Sequence, residues 1–316
     1  MNESTRDTVD HNAISAARQR IAGDIRHTPL WRLPGRALGI DVAEVWLKLE
    51  HLQVSGSFKA RGMFNRMRAQ PLPVAGVIVA SGGNAGIAVA SAARALSVQC
   101  EVFLPEVSSQ AKRRLLVDLG ARVVVQGAAY ADALAACQQR QRETGALWMH
   151  AYDQAEVVIG AGTLAAEIEA DAGLPDRVLV SVGGGGLIGG VAAWFAGRAR
   201  VEALEPVLAP TLHAARVAGQ PVDVAVAGIA ADSLGARRIG DIAWRIAQEH
   251  VAQSHLIDDD AIRSAQLRLW RELHLAVEPA AALPLAALWS GVVRPAPHER
   301  VAVIVCGANL DLATLA

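Results

Sequence analysis

The chain of 316 residues has few aromatic side chains, and its opposite charges cancel almost completely. Aromatic residues make up 4% of the chain, which argues against an all-β sandwich, because such strands are rich in aromatic and β-branched residues. Lys and Arg number 30, Asp and Glu number 31, and the formal net charge is -1. This balance provides no basic surface for nucleic acid or for an anionic membrane, so neither partner is expected.

Cysteine is scarce, and no membrane or export signal is evident. The spacing of Cys100, Cys137 and Cys306 matches neither a zinc site nor a redox pair, so a reducing, cytoplasmic location is predicted. Residues 1–12 are polar and lack the apolar segment of a signal peptide. The most apolar stretch, 178–197, contains a run of glycines and adjoins arginines. We interpret it as a buried strand followed by a helix rather than as a membrane span.

Short apolar runs alternate with Ala-rich helical stretches along most of the chain, and 52% of its residues are hydrophobic, which excludes disorder. Strands are predicted at 44–49, 76–80, 100–104, 122–125, 147–150, 178–182 and 301–306. Between 209 and 258 the pattern weakens, and helices and loops are expected there. Strands of four to six residues followed by helices are typical of βαβ units, so the expected fold class is α/β with mainly parallel sheet. Ligand sites are then expected at the carboxyl ends of strands.

The segment 57–62, Ser-Phe-Lys-Ala-Arg-Gly, places Lys59 near the predicted N-terminus of a helix. A helix N-terminus and burial both disfavour the ammonium form of a lysine. A neutral amine is what a Schiff-base lysine requires. Lys59 is therefore a candidate catalytic residue, although most lysines are simply solvated and the hexapeptide alone leaves that alternative open.

A run of four glycines separates a predicted buried strand from a helix. It consists of Gly183, Gly184, Gly185 and Gly186. Backbone N–H groups in such a loop can converge on a phosphate, with a helix N-terminus behind them. A flexible turn is the weaker interpretation, since four glycines lose much backbone entropy on folding. The run matches neither the GxGxxG pattern of dinucleotide-binding folds nor a nucleotide P-loop.

Two further segments follow predicted strands. Residues 81–86, Ser-Gly-Gly-Asn-Ala-Gly, expose backbone N–H groups suited to a substrate carboxylate, and Asn84 adds a side-chain amide. Residues 306–309, Cys-Gly-Ala-Asn, follow the last strand. Each segment alone is weak evidence, because Ser/Gly/Asn clusters are common in plain turns and a buried cysteine is usually a small core residue.

In their order and separation, these four segments resemble the pyridoxal-5′-phosphate (PLP) enzymes of the tryptophan-synthase-β fold, known as fold type II. Within that group they resemble the serine/threonine dehydratases, or ammonia-lyases, and the serine racemases. Further matching segments lie at 26–30, 48–50, 201–206, 232–235, 278–280 and 306–311. The resemblance covers nearly the whole chain. It implies two domains, each with a mainly parallel sheet flanked by helices, and PLP in the cleft between them.

The resemblance also implies domain limits and partners. The large cofactor-binding domain is expected to be discontinuous, at 1–70 and 151–316. The small domain, which holds the substrate carboxylate, is expected at 71–150. Relatives are commonly dimers, so a homodimer acting on a small amino acid is expected. The chain ends soon after residue 309, so the C-terminal effector domain of biosynthetic threonine deaminases is not expected.

Roles for individual residues are carried over from the family's motifs. Lys59 is expected to bind the cofactor covalently and to move the α-proton, with Phe58 packed beside the cofactor ring. Asn84 is expected to contact the ring 3′ oxygen. The expected phosphate-binding residues are Gly183, Gly184, Gly185, Gly186 and Leu187. The expected substrate-binding residues are Ser81, Gly82, Gly83, Asn84 and Ala85.

Cys306 stands where the family places Ser or Cys against the pyridine nitrogen. A thiol is a poorer proton donor to that nitrogen than a carboxylic acid is. The ring would then be a weaker electron sink, which favours prompt loss of a β-leaving group over a long-lived carbanion. Dehydration of a β-hydroxy amino acid suits this chemistry, and transamination does not.

Several positions depart from the family's pattern. Gly82 replaces the serine that delivers a proton in the racemases, so efficient racemisation is disfavoured. Ala85 replaces a frequent His, and residues 160–163 lack a usual Gln. Thr211 stands where several relatives have an Asp that helps bind a divalent cation near Glu205. A divalent site is therefore not expected, whereas a monovalent cation at Glu205 stays possible.

The expected activity is PLP-dependent β-elimination from L-threonine or L-serine, which yields a 2-oxo acid and ammonia. Another β-hydroxy amino acid, such as hydroxyaspartate, is an alternative substrate. A β-replacement enzyme of the same fold, such as a cysteine synthase, is an alternative activity. A nucleotide-binding α/β protein is the alternative from a different class, and the absence of GxGxxG and P-loop patterns counts against it.

Overall fold

The computed structural model describes residues 8–315, so the sequence interpretation of the first seven residues lies outside the described range. The helices are α1 (His11–Arg20), α2 (Lys59–Arg68), α3 (Asn84–Ala95), α4 (Gln110–Asp118), α5 (Tyr130–Thr144), α6 (Ala155–Ala172), α7 (Gly186–Phe195), α8 (Thr211–Ala218), α9 (Asp241–His250), α10 (Asp259–Leu273) and α11 (Pro279–Trp289). The strands are β1 (Leu30–Pro34), β2 (Glu44–Lys48), β3 (Val77–Ala80), β4 (Cys100–Leu104), β5 (Arg122–Val125), β6 (Leu147–Trp148), β7 (Arg177–Ser181), β8 (Arg200–Pro206), β9 (Val251–Ile257) and β10 (Arg300–Ile304).

The strands form two sheets. The larger has the order β1-β2-β10-β7-β8-β9, and the smaller has the order β5-β4-β3-β6. Every pairing is parallel except that of β1 with β2. Helices α7 and α11 pack on the larger sheet, while α3 and α5 pack on the smaller one. The α/β fold with two mainly parallel sheets is thus confirmed. The strands of the smaller sheet all lie within 71–150, and the exact domain limits stay a prediction.

Three strands were not predicted from the sequence: β1 and β9, which are the edges of the larger sheet, and β8, which lies inside it between β7 and β9. Strand β8 is buried, but Glu202 and Glu205 interrupt its apolar pattern. Strand β9 lies in the region where only helices and loops were expected, and that expectation was wrong. Its sequence, Val-Ala-Gln-Ser-His-Leu-Ile, is buried at its two ends and largely accessible between them. Strand β1 is mostly accessible and ends in a proline. Edge strands bury less surface and so carry a weaker apolar pattern than central strands.

The apolar stretch 178–197 folds as most of β7 followed by α7, as predicted from its flanks. Within residues 8–315, no helix is both long and apolar enough to cross a membrane. The three cysteines of the chain are buried and unpaired to one another. These results agree with the sequence interpretation of an internal strand–helix unit.

Helix α6 packs between α2 and α7 through glycines. A Cβ added to Gly160 would lie 2.5 Å from the Arg61 carbonyl oxygen, and one on Gly162 would lie 2.8 Å from the Gly190 carbonyl oxygen. Residues 160–163, which depart from the family's pattern, therefore serve close helix packing. Helix α2 also contributes Met63 to the buried cluster beneath the smaller sheet. The helix that begins at Lys59 thus joins the two halves of the molecule.

Candidate active site

Lys59 is the first residue of α2, as the sequence predicted. Its Nζ donates a 2.6 Å hydrogen bond to the carbonyl oxygen of Ala151 and lies 5.1 Å from the centre of the Phe58 ring. Burial lowers the pKa of Lys59 from 10.5 to about 8, against a smaller opposing effect of Cys306. A substantial fraction of the amine is therefore neutral near pH 8, which is the form that adds to a carbonyl.

The glycine run forms a closely packed turn between β7 and α7. Gly185 has φ 91°, a left-handed conformation that favours glycine. A Cβ on Gly184 would lie 2.3 Å from the Tyr152 ring, and one on Gly185 would lie 2.5 Å from Ile239 Cδ1. The run therefore needs glycine for both conformation and space. It ends at the first turn of α7, where backbone N–H groups lack intrahelical acceptors and the helix dipole favours an anion.

A single pocket at the carboxyl ends of β7 and β10 brings most of the predicted residues together. The predicted residues that line it are Phe58, Lys59, Asn84, Gly183, Gly184, Gly185, Gly186, Leu187 and Cys306. Ser233, Leu234 and Glu278 complete its wall, with Ser181 and Ala280. Segments separated by more than a hundred residues thus converge on one site.

Cys306 follows β10 and is buried in this pocket. Its carbonyl oxygen accepts a 3.0 Å hydrogen bond from the Phe58 N–H, which links it to the lysine segment. Burial raises the pKa of the Cys306 thiol, and the nearby Glu278 raises it further. The thiol therefore stays protonated. This agrees with the expectation that Cys306 is only a weak proton donor to a ring nitrogen.

The predicted substrate-binding residues 81–85 do not all line the same cavity. Gly82 and Gly83 line the outer cleft, together with Asn84. Ser81 and Ala85 line neither the pocket nor the cleft. A Cβ on Gly86 would lie 1.8 Å from the Ser81 carbonyl oxygen, so glycine is required for this turn.

The outer cleft beyond Asn84 has a volume of about 940 Å³, and both apolar and polar side chains line it. The apolar ones include Ile87, Leu115 and Leu310, and the charged ones include Arg263 and Asp311. Lys112 of α4 and Asp232 form a 2.5 Å ion pair at this cleft, between the smaller-sheet half and the larger-sheet half. The cleft is therefore wide, has an apolar part around Ile87 and Leu115, and contains charged groups besides the Lys112–Asp232 pair.

Sequence reasoning missed Glu278, Asn309, Ser233 and Tyr152 as site residues. Glu278 is buried at the N-terminus of α11, and burial raises its pKa. Asn309 and Glu278 both bond to Asn84, as described below. The segment that contains Glu278 had drawn attention only as a family match, and the segment 306–309 had been singled out without a role for Asn309. Their contacts with Asn84 span 194 and 225 residues, so no local pattern could have revealed them.

Glu205, the suggested cation ligand, already has several hydrogen-bond donors. Its two carboxylate oxygens accept from the backbone of Leu212 at 2.7 Å, the backbone of His213 at 2.8 Å and the Ser254 hydroxyl at 2.8 Å. The Thr211 hydroxyl donates to the Gly183 carbonyl oxygen at 2.5 Å. In the part of the chain that the structure describes, no group of three or more His, Cys, Asp or Glu side chains is arranged to hold a metal.

Arg61, two residues after Lys59, belongs to a buried cluster of four charges. Its guanidinium bonds to Glu50 at 2.7 Å and to Glu167 at 2.7 Å, and Lys48 bonds to Glu167 at 2.6 Å. All four side chains are at most 4% exposed. This cluster ties α2 to α6 and to the end of β2, so Arg61 supports the helix that carries Lys59.

The groups that line the pocket suit a phosphorylated aldehyde such as PLP. The evidence is the closely packed glycine turn at the N-terminus of α7, together with a partly neutral lysine in the same pocket. The turn suits a phosphate, and the amine suits an aldehyde carbon. Cys306 adds a neutral group with a weak S–H donor to the lining.

The profile of the family described as "Pyridoxal-phosphate dependent enzyme" matches residues 21–307. Phenylserine dehydratase from Ralstonia pickettii is 33% identical, over 97% of this chain and 95% of the relative. L-threonine ammonia-lyase from Geobacter sulfurreducens is 35% identical, over 97% of this chain and 77% of the relative. The structure of maize serine racemase superposes with a TM-score of 0.90 at 29% identity, covering 97% and 95% of the two chains.

Proposed function

The chain belongs to the pyridoxal-phosphate-dependent enzyme family, and from that premise we propose that it is an ammonia-lyase that dehydrates a β-hydroxy amino acid. The observation that carries this proposal is the pocket that Lys59, the glycine turn and Cys306 line together. Relatives named as a phenylserine dehydratase and a threonine ammonia-lyase support this class of reaction. The overall products are a 2-oxo acid and ammonia.

Different residues of the pocket are assigned different roles in the reaction. The cofactor, when bound, supplies an electron sink for the pair released at the substrate Cα. We propose that residues 183–187 hold its phosphate, that Lys59 holds its aldehyde carbon and that Cys306 faces its ring nitrogen. Once the substrate amine has displaced Lys59 from that carbon, the freed Lys59 amine, whose pKa burial lowers to about 8, accepts the α-proton of the substrate. The β C–O bond breaks, and the hydroxyl leaves with a proton as water. The released enamine adds water and loses ammonia.

The substrate carboxylate is assigned to the turn at 81–85. Asn84 begins α3, so the backbone N–H groups near it lie at a helix N-terminus that favours a carboxylate. No hydroxyl is present at Gly82. A Cβ there would lie 2.9 Å from Leu104 Cδ2 and 4.0 Å from the Ser108 hydroxyl oxygen. We therefore propose a lyase rather than a racemase.

L-threonine and L-serine are the default substrates, and one observation favours a second candidate. The outer cleft of about 940 Å³ has an apolar part formed by side chains such as Ile87 and Leu115. An apolar surface of this kind accommodates an aryl group on Cβ at little cost. A β-aryl substrate of the phenylserine type is therefore the second candidate. Hydroxyaspartate stays an alternative, because its added carboxylate would find Arg263 in the lining of the same cleft.

The test is 2-oxo acid formation from L-threonine, L-serine, L-threo-phenylserine and threo-3-hydroxyaspartate by the PLP-loaded protein. Turnover of at least one of them, abolished in Lys59→Ala, is expected. A Leu115→Asp variant is expected to lower kcat/KM for phenylserine while changing that for serine little. Formation of a substituted amino acid when sulfide is added would favour the β-replacement alternative. No 2-oxo acid from any β-hydroxy amino acid would overturn the proposed function.

The remaining expectations are proposals of the same kind. We propose that the protein works as a homodimer in the cytoplasm and that any cation at Glu205 is monovalent. Sedimentation equilibrium of the purified protein would test the dimer. Activity in sodium, potassium and chelator-treated buffers would test the cation. Equal activity in all three would argue against an ion at Glu205, whose oxygens already accept hydrogen bonds from Leu212 and His213.

A further inference from the structure

A turn in an unfavourable backbone conformation holds the Asn309 side chain at the outer cleft, in contact with Asn84. Ser55 has φ 67° and Gly56 has φ 73°, although Ser55 carries a side chain. The Ser55 carbonyl oxygen accepts a 2.9 Å hydrogen bond from Asn309 Nδ2, and the Gly56 carbonyl oxygen accepts one of 2.9 Å from the Ala308 N–H. A Cβ on Gly56 would lie 2.6 Å from Asn309 Oδ1. Such conformations persist where surrounding contacts determine them, often at functional sites.

The hydrogen bonds around Asn309 determine the orientation of the Asn84 amide. The Ser55 carbonyl oxygen can only accept, so the Asn309 atom that faces it is the amide nitrogen. The same nitrogen lies 2.6 Å from Asn84 Oδ1, which must therefore be the acceptor. The Asn84 nitrogen is thereby turned towards Glu278. This assignment follows from a backbone carbonyl and does not depend on the protonation state of Glu278.

Glu278 completes the arrangement from the other side. Its carboxylate oxygens lie 3.0 and 2.9 Å from Asn84 Nδ2, and one of them accepts a 2.7 Å hydrogen bond from the Asn309 backbone N–H. The Glu278 N–H in turn donates to the Gly307 carbonyl oxygen at 3.1 Å. Within residues 8–315, Glu278 is the one carboxyl group that lines the pocket with Lys59. It is 3% exposed, so its position is set by the protein interior.

We propose that Asn309 and Glu278 are positioning residues that fix the Asn84 amide so that it presents an N–H group, and not its carbonyl, to an acceptor in the pocket. An amide nitrogen carries two hydrogens. The contact with Glu278 uses one of them and leaves the other for the pocket. The inference rests on the proposed function, since the acceptor is the ring 3′ oxygen of the cofactor. A donor there stabilises the ionised form of that oxygen.

The decisive variant is Asn309→Asp, which keeps the size of the side chain but removes both N–H donors. The new carboxylate would face the Ser55 carbonyl oxygen and attract the Asn84 nitrogen, so the Asn84 amide is expected to turn over. The affinity of the apo protein for PLP, measured by fluorescence titration, is expected to fall about ten-fold, because a hydrogen bond to a charged group is lost. The visible absorption band of bound PLP changes with pH, and the midpoint of that change is expected to rise. The reason is that a ring oxygen without its hydrogen-bond donor holds a proton more tightly.

Glu278→Gln is also expected to lower the PLP affinity and to raise the pH midpoint. Both carboxylate oxygens of Glu278 accept hydrogen bonds from Asn84 or Asn309, and in the variant an NH₂ donor replaces one of these acceptors. Asn309→Ala, which removes the donors without adding a charge, covers the case in which Asn309→Asp fails to fold. It is expected to weaken PLP binding by a smaller factor.

A matched control is available next to Glu278. The Gln266 amide is buried and donates a 2.7 Å hydrogen bond to the Val277 carbonyl oxygen without touching Asn84. Gln266→Glu is expected to lower the melting temperature and to leave PLP affinity and the visible band unchanged. Asn309 and Glu278 variants with wild-type PLP affinity and an unshifted band would overturn the positioning role. A wild-type chain that binds no PLP would instead overturn the proposed function, and the positioning role with it.

Discussion

The Lys59 amine donates a 2.6 Å hydrogen bond to the carbonyl oxygen of Ala151, the third residue after the last strand of the smaller sheet. Lys59 begins the helix whose buried face packs beneath that sheet. The amine is therefore held at the junction of the two halves by the protein alone. Burial lowers its pKa to about 8, so this lysine is prepared for reaction by its surroundings.

Replacing Lys59 is expected to abolish covalent cofactor binding. The chain has three lysines, Lys48, Lys59 and Lys112, so a cofactor fixed by borohydride can be located by peptide mass spectrometry. Lys59→Ala is expected to lose the fixed adduct and to lower 2-oxo acid formation by about a thousand-fold or more, since it removes both a nucleophile and a proton acceptor. Lys112→Ala, which removes a lysine from an ion pair at the cleft, is expected to retain the adduct. An adduct on Lys48 or Lys112 in the wild-type chain would contradict this assignment.

The lowered pKa of Lys59 predicts how the stability of the apo protein depends on pH. The folded-state pKa is about 8 and the unfolded value is 10.5, so between these values the unfolded chain binds more protons than the folded chain. The free energy of unfolding should then rise with pH across that window. Lys59→Met lacks this contribution. Urea denaturation of the two apo proteins from pH 8 to 10.5 should give a difference that grows in favour of the wild type, and a constant difference would refute the pKa shift.

The glycine turn should not tolerate a methyl group. In Gly184→Ala the new Cβ would lie 2.3 Å from Tyr152 ring atoms, so the turn or the ring must move. Overpacking of this kind costs about 1–3 kcal/mol, which corresponds to a loss of about ten-fold or more in PLP affinity if the phosphate loop is displaced. Gly23→Ala meets no atom within 4 Å and serves as the control, with PLP affinity unchanged. Fluorescence titration of both apo variants makes the comparison. Equal affinities would remove the turn from the cofactor site.

The buried charge cluster should make a large contribution to stability. Arg61→Met would leave Glu50 and Glu167 without their shared partner in the protein interior. Removing one member of a buried ion pair costs about 3–5 kcal/mol. Arg122→Ala, which breaks an exposed pair with Glu101, should cost less than about 1 kcal/mol. Urea denaturation at constant pH measures both losses. Similar losses would mean that the cluster at Arg61 is no more important than a surface pair.

The sequence predicted most of the fold because most central parallel strands are buried on both faces and therefore appear as short apolar runs. Strand β8 is the exception, since Glu202 and Glu205 interrupt its apolar run. Strand β7 and the glycines after it are an example, since the apolar run and the turn are adjacent in the chain. The edge strand β9 was missed for the opposite reason. Its middle residues are accessible and polar, so it lacks that pattern.

The four local segments, with their order and separation, also indicated the cofactor and a candidate lysine for binding it. Such motifs can be found in a sequence because their residues are neighbours and their chemistry depends on local backbone geometry, as in the turn at Gly185. Which further groups surround them depends on contacts between distant elements. The contacts of Glu278 and Asn309 with Asn84, and of Ala151 with Lys59, join residues far apart in the chain.

By itself, then, the sequence determined the α/β fold class, the candidate lysine and the candidate phosphate turn, because each of these depends on continuous stretches of residues. Only the tertiary structure decided how the Asn84 amide is oriented, how far burial lowers the pKa of Lys59 and which side chains line the cleft. Hydrogen-bond direction, desolvation and cavity shape arise from the packing of several elements at once, and no single stretch of the chain specifies them.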